Sequence, residues 1–453
     1  MPITLLFTLV VAAPTCGPLD AAGALAVALA QADEVAIRKA DVLAARADAA
    51  LARAARFFPV ATATALTGLV PEARGTVIAP LTSDRSLAGL GPFMRIDVDI
   101  VQPLFTWGRL NAARDAAAAG VKARERLVED KVAELGVRVT QLFWGETLAR
   151  RLLGLAADVE GNLAKVEAKL GELLEEGDES VKPADRYRLE VYKAGLRKRK
   201  AEARRGLDLA HAGLAATMAL PAAEVSLREV PIPSEPGELP EVARELERAE
   251  RLRPDVAALD LAITARENEV RAAEGAMKPQ LFLGGNFSFA YAPNRTPQFN
   301  PWVSDAFNHV GGGMALGLRQ DLAFPMLVAN AEKARAQGEA LRRQRDGLSH
   351  LVAQQVEAAV AEVEAARERL LAVTSAAGSG KAWLRSAGLD FEAGVGEPKD
   401  LLEAYAAYVE LQVDQQQAAY DLVVARAKLE QAGGVVPPVG RNPCPPAGDA
   451  ARP

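Results

Sequence analysis

Few side chains in this sequence have the types and spacing that chemistry requires. The three histidines, His211, His309 and His350, lie far apart and show no metal-ligand spacing. Cys16 and Cys444 sit near opposite ends, too few for a disulfide framework. Gly378-Ser379-Gly380-Lys381 has the outline of a phosphate loop, but Ser375 stands where its first glycine belongs and Ala382 where its hydroxyl residue belongs. It also falls within or beside helical sequence, not after a strand. Asn294-Arg295-Thr296 fits a glycosylation sequon. Asp400 and Glu403, three residues apart, have the spacing of a helix capping box. Glu175, Glu176, Asp178 and Glu179 read as a solvated charge run. The expectation is a protein with no catalytic residue, metal or cofactor. Function must then come from the shape of the elements.

Composition says which elements. Of 453 residues, 50% are apolar and 5% aromatic, with 25% charged and a net charge of −6. That excludes a disordered chain, a collagen and a basic nucleic-acid binder, and it favours long helices. No apolar run reaches the roughly 18 residues of a membrane-spanning helix. Residues 3–13 are an apolar stretch of signal-peptide length without a basic leader, so residues 1–19 are expected to be a signal peptide or a disordered N-terminus. Cys16 is a poor candidate for lipidation, with Ala13, Pro14 and Thr15 before it. An upstream start is the other explanation of the missing leader.

The chain repeats its plan. Asp33-Glu34-Val35 running to Phe57-Phe58-Pro59 reappears as Pro254-Asp255-Val256 running to Met277-Lys278-Pro279. Gln102-Pro103-Leu104-Phe105 is echoed by Gln320-Asp321-Leu322-Ala323-Phe324, and Asp185 by Asp400. These offsets of about 215 to 221 residues predict a tandem duplication. The expected organisation is a first repeat over 20–220, a proline-containing linker over 221–240, a second repeat over 241–432 and an irregular Pro/Gly-rich tail over 433–453. Each repeat reads as a helix, a strand pair (about 57–105, then about 280–322), a very long helix and a further helix. Residues 20–56 read as one helix, ended at Pro59.

Period-two alternation marks the strands. Met94, Ile96, Val98 and Ile100 alternate with Arg95, Asp97 and Asp99; Leu281 to Tyr291 and Val310 to Leu318 alternate likewise, and residues 60–70 do so less cleanly. Ten-residue segments of this kind resemble lipid-facing barrel strands, which makes Met94, Ile96, Val98 and Ile100 the expected lipid face. Phe287, Phe289 and Tyr291 suit an aromatic girdle or a contact between protomers. Leu152, Ala156, Val159, Leu163, Val166, Leu170 and Leu173 form a coiled-coil seam, matched by Val352, Val356, Ala359, Val363, Ala366, Leu370 and Val373. The proline-free stretch from Trp107 to Gly177 would make a rod of roughly 100 Å at about 1.5 Å per residue. Four strands cannot close a membrane barrel, for which about eight is the minimum, and open edges in lipid cost several kcal/mol per group. Copies of the chain must therefore complete the wall.

At the strand-to-helix junction stands Gln102-Pro103-Leu104-Phe105-Thr106-Trp107-Gly108-Arg109, and near the second helical turn stand Gly394, Gly396 and Asp400-Leu401-Leu402-Glu403-Ala404. On these motifs and the duplication the chain resembles the TolC family of outer-membrane efflux proteins over about residues 20–433. The resemblance implies a mainly α-helical chain with a β-barrel part, assembled as a homotrimer with a twelve-stranded barrel in outer-membrane lipid and an antiparallel coiled-coil helical tunnel in the periplasm. It implies as partners a periplasmic adaptor (membrane fusion) protein and an inner-membrane RND or ABC pump, the duct serving efflux or type I secretion and performing no chemistry.

It also implies that Asp400 and Glu403 form the periplasmic constriction, and that Phe391, Gly394, Gly396 and Asp185 belong to the tips. The family's tip arginine is absent, because Val395-Gly396-Glu397-Pro398-Lys399 occupies that place. The first tip also departs from pattern, with Arg186-Tyr187 after Asp185. Gln102, Pro103, Leu104, Phe105, Gly108 and Arg109 are expected to be structural, Gly108 allowing the turn from strand to helix. A soluble periplasmic coiled-coil scaffold is the competing reading. The transported substrate is not legible.

Overall fold

The computed structural model describes residues 17–79, 81, 89–176, 182–393, 395–438 and 440. The apolar N-terminal stretch with Cys16, Gly394, part of the first acidic run, and the tail with Cys444 lie outside the described residues.

In chain order the elements are α1 (Ala21–Gln31), α2 (Asp33–Phe57), β1 (Val60–Pro71), β2 (Leu90–Phe105), α3 (Arg109–Glu176) and α4 (Pro183–Thr217). After a connector come α5 (Val242–Leu252), α6 (Pro254–Ala276), β3 (Gln280–Tyr291), β4 (His309–Arg319), α7 (Phe324–Glu392) and α8 (Pro398–Ala432). The two runs match closely in most elements, with 11 residues in α1 and α5, 68 and 69 in α3 and α7 and 35 in α4 and α8, but 25 against 23 in α2 and α6 and 16 against 11 in β2 and β4.

One expectation needs correcting. Residues 20–56 are not a single helix: Ala32 leaves the helix with extended backbone (φ −63°, ψ 121°). Arg253 does the same before Pro254 (φ −62°, ψ 123°). Proline makes the second break legible; nothing comparable marks Ala32. The break does let Asp33 and Glu34 sit in the first turn of α2, where carboxylates suit the helix dipole.

The chain forms two compact units, and each takes segments from both sequence halves: one holds residues up to Ala40, Glu125–Ala258 and Asp346 onward, the other Asp41–Arg124 and Leu259–Arg345. The repeats are therefore not separate folding units. The first unit is all helix and connector. Val27, Leu135, Val139, Phe143, Leu214 and Met218 fill one core, and Val356, Val363, Leu370, Leu422 and Leu429 another. In a third, the predicted seam residues Val159, Leu163 and Leu170 pack with Leu189 and Leu402. The connector is pinned, not slack. Leu19 donates to the Ser226 carbonyl and accepts from Arg228 N–H, both at 2.8 Å. Arg426 reaches the Glu235 and Pro236 carbonyls at 3.0 and 2.6 Å.

The second unit carries one antiparallel sheet in the order β1-β2-β3-β4. Register explains its two faces. Ala65, Ile96, Phe289 and Val310 form one cross-strand row, and Ala63, Val98, Phe287 and Gly312 the next. The opposite face carries Thr64, Asp97, Ser288 and Gly311, then Thr62, Asp99, Asn286 and Gly313. The helix-linked ends, Val60, Phe105, Gln280 and Arg319, fall at one end of the sheet, and both hairpin loops at the other. Phe287, Phe289 and Tyr291 step along one strand at intervals of about 7 Å, so they do not share a single depth.

Candidate functional site

The turn from β2 to α3 is built by the octapeptide singled out above. Pro103 pairs with Phe282, and the register then slips so that Phe105 faces Leu281. Trp107 and Gly108 both take left-handed backbone, φ 53° and 81°. For glycine that is free; for tryptophan it costs on the order of 1 kcal/mol. The indole compensates: its Nε1–H donates to the Pro279 carbonyl at 2.7 Å, its ring stacks edge-on to Phe105 at 5.1 Å, and Lys278 lies 5.2 Å from its centroid. Arg109 donates to Gln280 Oε1 at 2.9 Å, tying the next helix to β3. Leu104 is the extra residue at the slip. Gln102 donates to the Pro103 carbonyl at 3.0 Å, and Gln320, at the second junction, to the Asp321 carbonyl at 2.8 Å. The sequence reading credited Gly108 alone; the strained Trp107 was the missed partner.

The two helical turns before α4 and α8 hold equivalent residues in different states. α8 begins at Pro398 with Glu397 as its cap, so Asp400 is the third helical residue and not the cap of a box completed by Glu403. The proline, which suits the first helical position, moves the start three residues earlier. Asp185 holds the same place in α4. It is 2% exposed, accepts from the Lys182 N–H at 3.0 Å, and pairs with Arg188 at 2.7 Å. Asp400 is exposed, and its carboxylate has no hydrogen-bonding or ionic partner among the described residues. Glu403 is also exposed, with Lys399 at 3.9 Å. Three residues after the aspartate stands Arg188 in one turn and Glu403 in the other, so one carboxylate is neutralised and the other is not. We predict that Asp185→Ala lowers thermal stability by roughly 1–2 kcal/mol as a lost cap, while Asp400→Ala leaves the melting temperature unchanged. Equal losses at the two positions would contradict this asymmetry.

Gly396 has a steric reason to be glycine: a Cβ there would stand 2.9 Å from the Asp390 carbonyl carbon and the Phe391 nitrogen. Its N–H and that of Val395 close the end of α7 on the Asp390 carbonyl, at 2.9 and 3.1 Å. Phe391 is half-buried in that last turn. Three of the contacts that join the first half to α8 and its cap are Lys182 to Glu397 at 3.5 Å, Asn162 Nδ2 to the Tyr405 hydroxyl at 3.1 Å, and Arg199 to Glu410 at 3.0 Å. Burial pushes the Tyr405 phenol above its usual range, so it stays a neutral hydroxyl. The sequence reading found none of these three.

It also missed Glu146, fully buried in α3. Arg150 and His211 hold it, at 2.5 and 3.2 Å, and the other imidazole nitrogen of His211 meets the Ala222 carbonyl at 2.9 Å. That histidine pins the connector to α4. Gly378-Ser379-Gly380-Lys381 lies inside α7, which removes the strand-loop-helix setting a phosphate loop needs. No group of metal-ligating side chains occurs among the described residues.

Residues 246–435 match the family model described as outer membrane efflux protein. The chain's fold is that of solved outer-membrane channels. CusC is similar with a TM-score of 0.73 at 17% identity, over 96% of this chain and 97% of that one. The Neisseria gonorrhoeae MtrE outer membrane channel in its open state gives 0.71 at 17%, over 98% and 99%. The Campylobacter jejuni CmeC outer membrane channel gives 0.70 at 13%, over 96% and 93%. No curated protein matches the chain. Among the described residues no helix is long and apolar enough to cross a membrane.

Proposed function

We propose that this protein is the passive outer-membrane duct of a tripartite efflux or type I secretion system, working as a homotrimer. One observation carries the reading: a single four-stranded sheet has one face made mostly of apolar side chains, and among the described residues no strand pairs the outer edges of β1 and β4. Met314 and Leu318 on that face are 77% and 72% exposed. An apolar patch of this extent on a monomer requires a cover. Strands of 12 residues run about 40 Å and, tilted by about 40°, cover about 30 Å, the thickness of a bilayer's hydrocarbon core. Lipid covers the apolar face, and identical copies pair the edges. The polar face, with Asp97, Asp99, Asn286 and Ser288, lines the bore.

The helical unit serves in the periplasm, where an adaptor and an RND or ABC pump deliver cargo. The energy comes from the pump, and the duct itself is no catalyst. Asp400, without an ionic partner, and Glu403, with only the exposed Lys399 near it, ring the closed end at the start of α8: six carboxylates around one axis attract cations and repel anions.

Planar-bilayer recording tests this. The wild type conducts with a cation preference, and Asp400→Asn with Glu403→Gln loses most of it, read as a shift of the reversal potential toward zero in a salt gradient. An unchanged reversal potential would remove the constriction assignment; a water-soluble monomer that never conducts would remove the channel and favour the scaffold.

A further inference from the structure

The polar face of the sheet neutralises most of its own charge. Arg95 donates through two guanidinium nitrogens to Asp97, at 2.8 and 3.1 Å, and the Ser288 hydroxyl donates to the same carboxylate at 2.7 Å. The Nε2 of His309 meets that hydroxyl at 2.8 Å. The imidazole stands at the end of this line and not between acid and hydroxyl, so the three form a brace and not a nucleophilic triad. Asp99, the next residue of β2 on the same face, is exposed, and its side chain has no hydrogen-bonding or ionic partner among the described residues. Its cross-strand neighbours, Thr62 and Asn286, carry no charge. Among the described residues of this face the other cation is Arg319, in the row of Gln280, six residues and about 20 Å from that of Asn286. Salt screens exposed charges over about 8 Å at physiological strength, so Arg319 does not neutralise Asp99.

Beside Asp99 the wall is hollow. A groove of about 420 Å³ runs from Asp99, Asn286 and Gly313, which share one cross-strand row, to Phe282 and Gly317, which share another. These rows stand about 13 Å apart, with Gly284 between them. The floor has a steric reason to be glycine. A Cβ at Gly317 would stand 2.6 Å from Cζ of Phe282, and one at Gly284 3.2 Å from its Cε2. The ring leans over the space that side chains at both positions would fill, which lays its π face along the groove. Gly284 is only about 7 Å along the strand from Asn286. One small cationic group can therefore meet carboxylate and ring together. An alkylated ammonium head suits both, since the carboxylate supplies opposite charge and the negative face of an aromatic ring attracts cations of this kind.

We propose that this groove binds organic ammonium ions, the head held between Asp99 and the face of Phe282, with the Asn286 amide beside it. On the duct reading, on which this rests, the polar face lines the bore. Each chain then offers passing cargo a cation site apart from Asp400 and Glu403, which belong to the other unit of the chain.

The test titrates benzyltrimethylammonium against the full chain in detergent, with binding read by saturation-transfer NMR on the ligand. The same ion is then tried as a blocker of the current in planar bilayers. Wild type is expected to bind it, and neutral benzyl alcohol is expected not to compete. Asp99→Asn is expected to weaken binding by about tenfold, the effect of one unit charge near a protein surface. Phe282→Leu is expected to weaken it by about fivefold, while Phe282→Tyr, which keeps the ring face, stays within about twofold of wild type. Unchanged binding in Asp99→Asn overturns the site. Equal weakening by the two Phe282 variants does so too, since it would make the ring a packing element only. A loss in Asp400→Asn with Glu403→Gln as large as that in Asp99→Asn assigns the cation to the constriction and overturns the groove. The groove is built from three strands of one chain, so NMR reads it whether or not the protein conducts. A conducting oligomer that does not bind the ion removes only the groove, and a chain that binds it but never conducts removes only the duct.

Discussion

Arginine in place of Ile96 or Val98 abolishes the assembled oligomer, whereas arginine in place of Thr62 leaves it intact. Ile96 and Val98 share cross-strand rows with Phe289 and Phe287 on the apolar face; Thr62 pairs with Asp99 on the other. A guanidinium at mid-membrane depth on the lipid side costs about 2–4 kcal/mol per chain, and the proposed homotrimer would bear it three times. On the bore side water solvates the same group. The measurement is the yield of detergent-resistant oligomer after reconstitution. Equal yields for the three variants would show that the apolar face does not meet lipid.

Cutting the contacts that tie the first half to α8 should open the duct. Asn162→Ala, Tyr405→Phe and Glu410→Ala together remove the bond from Asn162 to Tyr405 and the ion pair from Arg199 to Glu410. The hydrogen bond is worth about 1 kcal/mol and the exposed ion pair at most about 1. Roughly 2 kcal/mol moves a closed-to-open equilibrium by about thirtyfold. Single-channel recording should show the open level occupied far more often, with the unitary current of the open level unchanged. If the triple variant gates like the wild type, these contacts are structural and the closed end is held elsewhere. Adding Lys182→Ala, which loses the Glu397 pair, should change little further, because both of its groups are more than half exposed.

Most of the architecture was legible because it depends on periodicity. A period of two over residues 94–100 separates the faces of β2 whatever lies beside it. Sustained steps of three and four from Leu152 to Leu173 describe a helix with one buried stripe, and Ala156, Val159, Leu163 and Leu170 are indeed buried. The junction motif was legible from its glycine but only half understood. The left-handed Trp107 is tolerated because Pro279, 172 residues away, accepts its indole proton. The helix break at Ala32 has no local cause, so no local reading finds it.

What the sequence by itself determined is therefore the set of elements and which face of each is apolar, since both follow from intrinsic preferences and the spacing of side chains along one strand or helix. Only the tertiary structure decided which polar groups remain free to act. Asp185 and Asp400 stand at the same position of equivalent helices, yet one is buried and bonded and the other exposed. Glu146 is held by a histidine from α4, and Tyr405 finds Asn162 from a different half. Whether a charge is satisfied depends on partners brought close through space, and the energy of an ionic or polar contact depends on distance and burial, neither of which is a property of sequence order.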